Sequence, residues 1–141
     1  FVGCSSLVSV EVLANNILKI DSYAFSDCTG LAVITIPASV TATNMYAFAG
    51  CSSLTDVYYL GAEEQWRAIR ISIGNESLTS AALHYAMIWT AVYGETGQML
   101  QMWEGAGTAV PEALVGKADS LLQFMLDRTT LQPLGPVTPV S

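Results

Sequence analysis

Apolar and polar residues alternate in three short segments of the chain, each of which follows a leucine. The segments read VSVEV (residues 8–12), AVITIP (32–37) and TDVYYL (55–60). An alternation of period two that is rich in β-branched residues predicts a short β-strand with its apolar side chains on one face. We therefore expect Val10, Ile34 and Val57 to point inward and their neighbours along each strand to point outward.

The residues before each strand recur at spacings of 24 and 23 positions. The stretch YAFSDCTGL (23–31) returns almost unchanged as YAFAGCSSL (46–54). The recurring types are a phenylalanine, a cysteine and a leucine: Phe1, Phe25 and Phe48; Cys4, Cys28 and Cys51; and Leu7, Leu31 and Leu54. A fixed period in this range predicts a solenoid, in which equivalent strands of successive coils lie about 4.8 Å apart in a parallel sheet.

Each unit continues with a second apolar segment, NILKI (16–20) in one coil and SVTAT (39–43) in the next. We expect these segments on the wall opposite the first sheet. The turns DSYAF and NMYAF then return the chain, with alanine small enough to let neighbouring coils approach. Phe1 stands partway through such a unit, so we expect further coils before it.

The pattern YAFxxCxxLxxVxIPxSVT, present as YAFSDCTGLAVITIPASVT (23–41), resembles the BspA-like leucine-rich repeats of bacterial and some protist cell-surface proteins. The resemblance covers residues 1 to about 59. Two positions depart from it: Thr43 stands where the family usually has an apolar residue, and LANN (13–16) replaces the usual proline-containing turn. The resemblance implies a mainly β fold, a leucine-rich-repeat solenoid with short parallel strands, in a secreted or cell-surface bacterial protein.

The period ends after residue 60, where a different pattern begins. Glu63 and Arg67 are four positions apart, and the segment AEEQWRAIR predicts a short amphipathic helix with Trp66 buried. The open end of a solenoid needs a lid. This run resembles the capping segment that follows such repeats, in which LHY (83–85) supplies the last strand. We therefore assign residues 1–85 to the repeats and their C-terminal cap.

Residues 86–141 predict a second, smaller unit. AMIWTAVYGETGQMLQMW contains two apolar strands around Gly94 and Gly97, a pattern typical of a hairpin. SLLQFML alternates and ends at Asp127, and the proline-rich LQPLGPVTPV does not suit a central strand. The segment is similar to a short all-β module at the C-termini of secreted bacterial proteins. We predict a small antiparallel β module with a structural role.

Charge and length exclude two classes of partner. Only 12% of the residues are charged, and 12 acidic residues against 5 basic ones give a net charge of -7. Nucleic-acid binding depends on Lys and Arg, so nucleic acid is not an expected partner. The longest nearly apolar run, residues 81–93, is well short of the roughly 20 residues that a membrane helix needs, so no membrane span is expected.

No pattern in the sequence indicates catalysis, a metal or a cofactor. The one histidine, His84, lies in the predicted last strand and is expected to be structural, and no GxSxG motif is present. The cysteines lack both the Cys-x-x-Cys spacing and the histidine partners of a zinc site. One strand spacing would permit a disulfide between them. Their odd number and shared repeat position favour reduced, buried thiols instead.

Two functions remain open. The resemblance implies a non-catalytic module for protein–protein interaction and adhesion, whose array engages host proteins, matrix or other cells. The alternative is a structural spacer or terminator that is accessory to an upstream catalytic or binding domain. The sequence before Phe1 would discriminate them, because many more repeats favour binding.

The outward positions of the three strands are the candidate partner-binding residues. They lie on the one surface that the repeat keeps regular while the side chains vary from coil to coil. Exposed tyrosine is a common binding anchor, so Tyr58 is the strongest single candidate. The predicted binding residues are Ser9, Glu11, Val33, Thr35, Asp56 and Tyr58.

Overall fold

A computed structural model describes residues 1–12, 14, 16–104, 120–128, 132–133 and 138–140 of the chain. Two compact units are present, Phe1–Tyr85 and Ala86–Ser141. The strands of the first unit are β1 (Ser9–Glu11), β2 (Lys19–Ile20), β3 (Val33–Ile36), β4 (Ala42–Thr43), β5 (Asp56–Tyr59), β6 (Arg70–Ile71) and the start of β7 (Ala82–Tyr93). Its helices are α1 (Glu63–Arg67) and α2 (Glu76–Ser80), each of five residues and too short to cross a bilayer.

Two parallel sheets form the walls of the first unit. The first sheet has the order β1, β3, β5 and the opening residues of β7, and the second sheet has the order β2, β4, β6. The inward residues of the first sheet stand in register: Val10, Ile34, Val57 and Leu83. The prediction of a mainly β chain with short parallel strands is confirmed.

Identical side chains stack on one another between the walls. The rings of Phe1 and Phe25 have centroids 5.4 Å apart, and those of Phe25 and Phe48 are 5.3 Å apart, all nearly parallel. Phe48, Leu31 and other inward residues are fully buried. Burying one such side chain contributes about 1.5–3 kcal/mol, so each repeated position adds to the stabilisation of this unit.

The cysteines form a second internal column. The Sγ atom of Cys28 lies 2.9 Å from the carbonyl oxygen of Phe1, and that of Cys51 lies 3.0 Å from the carbonyl oxygen of Phe25, so each thiol donates to the preceding coil. All three cysteines are free thiols. Cys28 and Cys51 are buried, but Cys4 is half-buried, which corrects the expectation that all three are buried. The reason is that the coil of Cys4 has a neighbouring coil on one side only in the described chain.

Two turn positions per coil lie in the left-handed backbone region, one held by Gly3, Asp27 and Gly50 and the other held by tyrosine. Tyr23 and Tyr46 occupy the second position at φ 61° and 57°, and their exposed rings stack with centroids 5.5 Å apart. In the last coil this second position belongs to Gly74, at φ 78°. A Cβ atom on Gly74 would lie 2.1 Å from a ring carbon of Tyr46. The glycine therefore lets the terminal segment lie directly against the tyrosine column.

Asn75 ends the hydrogen-bond column that links the coils. The backbone N–H of Phe25 donates to the carbonyl of Ala47 in the next coil, at 2.8 Å. At the equivalent position, the N–H of Phe48 donates to the side-chain Oδ1 of Asn75, at 3.0 Å. The Nδ2 group of Asn75 donates in turn to the carbonyls of Asn44 and Ser72. A buried side-chain amide thus takes the place of the backbone carbonyl that the next coil supplies at the equivalent position.

The terminal segment differs from the prediction in two ways. Helix α1 forms where expected, with the N–H of Ala62 donating to Gln65 Oε1 at 2.8 Å, but Trp66 is half-buried rather than buried. A five-residue helix offers barely more than one turn to the core, so Trp66 packs edge-on against Tyr59 at 5.2 Å and leaves part of its ring in solvent. The fully buried side chain is Leu78, on a second helix, α2, that the pattern did not predict.

The second unit is antiparallel. The part of β7 from Ala86 onward pairs with β8 (Met99–Glu104) and β9 (Ser120–Asp127), and β10 (Thr138–Val140) pairs with β9. The N–H of Gly94 donates to the carbonyl of Gln98 across the turn between β7 and β8. Residues 105–119, part of the proline-rich segment and residues 13 and 15 of the LANN loop lie outside the described residues.

Replacing Asn75 with alanine is expected to destabilise the first unit by about 2–4 kcal/mol, because the buried N–H of Phe48 and the carbonyl of Asn44 lose their partner. Urea unfolding followed by circular dichroism measures this change. Asn44→Ala is the matched control, since its side chain donates only to Asp21 near the surface, and it should cost about 1 kcal/mol or less. Equal effects of the two substitutions would contradict this role of Asn75.

The three cysteines are expected to react at different rates with a thiol reagent. Burial raises the pKa of the Cys51 thiol to about 11, with a further rise from nearby Cys28, so little thiolate is present at pH 8. We expect Cys4 to react first and Cys51 about a hundredfold more slowly or slower still, as measured by mass spectrometry of labelled peptides. Denatured protein should show three equivalent thiols, and equal rates in the native protein would contradict the burial order.

Candidate functional site

The outward side of the first sheet, here called the outer face, consists of two rows of residues in register. One row runs across the four strands as Ser9, Val33, Asp56 and Ala82, and the other as Glu11, Thr35, Tyr58 and His84. The six predicted binding residues thus lie on the same side of the first sheet. The last strand adds Ala82 and His84 to it.

Exposure differs strongly among the predicted residues. Ser9 and Glu11 are exposed, whereas Val33, Asp56 and Tyr58 are half-buried. Thr35 is only 2% exposed, so the expectation that its side chain is available to a partner is wrong. Its two neighbours in the row, Glu11 and Tyr58, have longer side chains and stand one strand away on either side. Thr35 therefore belongs to the packed part of the sheet and not to the surface that a partner can reach.

Asp56, Tyr58 and His84 form a cluster at one end of the outer face. The Nε2 atom of His84 lies 2.8 Å from Oδ1 of Asp56, and the hydroxyl of Thr55 donates to Oδ2 at 2.8 Å. The rings of Tyr58 and His84 stack with centroids 4.7 Å apart and planes 24° apart. The cluster therefore presents one anchored carboxylate beside two aromatic rings that hold each other in place.

The electrostatics of the cluster follow from these contacts. Hydrogen bonds from His84 and then from Thr55 hold the pKa of Asp56 below its usual value, so the carboxylate remains charged at neutral pH. Burial and the negative charge of Asp56 raise the pKa of Tyr58, so its phenol remains protonated. The cluster can accept hydrogen bonds through Asp56, and Tyr58 keeps a neutral hydroxyl.

The sequence analysis treated His84 as a structural residue and missed its place on this surface. The signal was available, because aligning LHY with the strand segment VYY (57–59) makes His84 the equivalent of Tyr58. What the alignment does not show is the contact with Asp56, which lies diagonally across the sheet. The register alone pairs Asp56 with Ala82.

Two further features complete the survey of sites. In the described part of the chain, no group of three His, Cys, Asp or Glu side chains is arranged to hold a metal ion. A cavity of about 440 Å³ opens on the first coil, lined by residues that include Phe1, Val10, Ile17 and Phe25. These residues face the side that the preceding coil covers elsewhere in the described array, so the cavity is the uncovered interior of the first described coil.

His84→Ala is expected to raise the pKa of Asp56 toward the ordinary aspartate value, and Thr55→Ala to raise it by less, because the His84 hydrogen bond is the larger cause of the shift. Titration of the Asp56 carboxyl by NMR measures both changes. Since the folded-state pKa is depressed, the stabilisation from this carboxylate is present above about pH 4 and is lost as the pH falls through the folded pKa. A larger rise with Thr55→Ala would contradict the assignment.

Residues 1–86 match the family described as a BspA type leucine rich repeat region, in 6 copies. Among solved structures, the chain is similar to a leucine rich cell surface protein from Faecalibacterium prausnitzii A2-165, with 39% sequence identity and a TM-score of 0.46. That similarity covers 50% of this chain and spans only 18% of the other. No curated protein matches the sequence significantly. The match over residues 1–86 confirms the resemblance, and the chain belongs to the BspA-type leucine-rich repeat family.

Proposed function

We propose that residues 1–85 form a non-catalytic protein–protein interaction and adhesion module of a secreted or cell-surface bacterial protein, and that the outer face binds the partner. One observation carries this proposal: the interior repeats from coil to coil, whereas the eight outer-face residues all differ from their neighbours in the row. Stacking of the coils explains why the interior side chains repeat. It does not explain why the outer-face residues differ from coil to coil, and these differences are available for recognition of a partner.

In this proposal the coils are a solenoid and the segment after β5 is its lid. Support comes from Asn75, which satisfies the last backbone donor of the column, and from Leu78, which packs into the same core cluster. A closed end keeps the repeat units from pairing further in that direction, so the outer face would keep a defined length. Residues 86–141 are a separate structural β module in this proposal.

The most informative part of the outer face for binding is the cluster of Asp56, Tyr58 and His84. Tyrosine buries a large area at low conformational cost, and Tyr58 is already held by ring stacking against His84. Glu11 and Ser9 form the exposed rim at the opposite strand, with Val33 between. A partner lying across the strands would thus meet a polar rim, a small apolar patch and an aromatic anchor in succession.

The secreted or cell-surface location rests on family membership, because BspA-like repeats occur in proteins of that location. The competing function is a spacer or terminator for an upstream domain. A spacer needs the stacked interior and the lid but has no use for particular outer-face side chains. Substitutions on the outer face therefore separate the two functions.

Tyr58→Ala combined with Glu11→Ala is expected to weaken attachment of the protein to immobilised matrix proteins or cultured cells by about tenfold or more, because an anchor and a rim residue are lost together. The circular dichroism spectrum should stay unchanged. Tyr23→Ala is the matched control: this tyrosine is 51% exposed, stacks on a neighbouring tyrosine and lies off the outer face. Attachment that survives the double substitution intact would favour the spacer function.

A further inference from the structure

Charged residues of the first unit are segregated between its two walls. The eight outer-face residues include the carboxylates of Glu11 and Asp56 and no Lys or Arg. The second sheet carries the opposite charge: Lys19, Ala42 and Arg70 stand in one row across β2, β4 and β6. The outer face is thus acidic, whereas the second sheet carries two basic residues, with one exposed carboxylate, Asp21, directly after β2.

The charges on the two walls have the same spacing along the stack of coils. Glu11 and Asp56 lie on β1 and β5, with one strand between them, and Lys19 and Arg70 lie on β2 and β6, again with one strand between them. Two strand spacings, about 9.6 Å, separate Lys19 from Arg70, whereas Glu11 and Asp56 are also offset by two residues along the strands and lie about 12 Å apart. The flexible Lys and Arg side chains can span this difference, so two walls placed side by side can bring the charges opposite one another.

Three of these four charges are available for intermolecular contacts, and the fourth, Asp56, is half-buried and already held by His84 and Thr55. Glu11, Lys19 and Arg70 are exposed, and none of the three forms an ion pair within the described residues. The third basic residue of this unit, Arg67, is paired with Glu63 on its own helix. Ala42 is a small residue between the two long basic side chains, so the centre of the row offers no bulky obstacle to an approaching surface.

We propose that a second copy of this chain binds the outer face through its second sheet, with Lys19 and Arg70 of one copy against Glu11 and Asp56 of the other. This proposal names a partner for the outer face and therefore rests on the proposed function. The contact joins two different surfaces, so each copy keeps one free outer face and one free second sheet. Such heterologous contacts lead to chains or arrays of molecules rather than closed pairs.

A foreign partner that carries Lys or Arg is the competing occupant of the same acidic face. The observations favour a second copy because the chain itself supplies the complementary charges, with one coil between them on each wall. The two occupants make different demands on the second sheet. Self-association requires Lys19 and Arg70, whereas a foreign basic partner requires only the outer face.

Two double variants test the contact by charge reversal. In the outer-face variant, Glu11→Lys is combined with Asp56→Asn, which keeps a side chain able to hydrogen bond to His84 and Thr55. In the second-sheet variant, Lys19→Glu is combined with Arg70→Glu. Each variant alone has two walls of like charge, and its dissociation constant for self-association in sedimentation velocity should rise about tenfold or more over that of the wild type.

Mixing the two variants provides the decisive measurement. The second-sheet variant keeps a native outer face, and the outer-face variant keeps a native second sheet, so an equimolar mixture contains one complete native contact. We expect the mixture to associate with a dissociation constant near the wild-type value. The control combines Glu64→Lys with Glu76→Gln, which shifts the net charge by the same amount at exposed positions off the outer face and should leave self-association unchanged within about twofold.

Three outcomes would overturn the proposal: a wild-type protein that stays monomeric at millimolar concentration, variants that associate like the wild type, or a mixture that fails to recover. The attachment assay separates this failure from failure of the proposed function. Attachment to matrix proteins or cells that the second-sheet variant retains, in a protein that does not self-associate, would show that the outer face binds a foreign partner instead. Loss of both properties would contradict the binding function as well.

Discussion

Stacking of each coil on the next is the constraint on which the rest of this structure depends. A strand of three or four residues cannot bury its apolar face alone, and it gains a core only when an equivalent strand lies beside it. Equivalence then extends to the side chains, because a phenylalanine ring at 5.3–5.4 Å from its neighbours leaves room only for a similar ring. The repetition of phenylalanine, cysteine and leucine along the chain is therefore a packing requirement.

Stacking also leaves backbone hydrogen-bonding groups on each coil that need partners on the following segment. Every coil leaves backbone donors and acceptors for the next one, and a buried donor without a partner is costly. Here the last donor is satisfied by the side chain of Asn75, and the last left-handed turn position is taken by Gly74, which lies against the ring of Tyr46. Leu78 fills the core behind them. Asn75, Gly74 and Leu78 thus supply, in the segment that carries β6 and the start of β7, the contacts that the repeated residues supply in the other coils.

Side chains on the outside of the coils do not have to match those of the neighbouring coils. Their variation is the physical basis for function in a repeat protein. The outer face combines a carboxylate held by His84 and Thr55, a tyrosine held by stacking and an exposed glutamate. Lys19 and Arg70 lie on the other wall. A regular backbone therefore places varied chemistry at fixed intervals, and the same interval applies to both walls because they share their coils.

The sequence by itself determined the period, the positions of the strands, the parallel pairing and the identity of the inward residues, because each of these follows from a pattern that repeats within the chain. It also located the outward rows, since alternation assigns every strand residue to one face.

Alternation does not determine how deeply an outward side chain is buried. Thr35 points outward and is nevertheless buried, because burial depends on the sizes of Glu11 and Tyr58 on the neighbouring strands. The contact of His84 with Asp56, the half-burial of Trp66 and the substitution of an amide for a backbone carbonyl at Asn75 likewise emerged only in the tertiary structure. Each of these features is a single contact that occurs where the repeat ends. A repeating sequence pattern predicts only the contacts that recur in every coil.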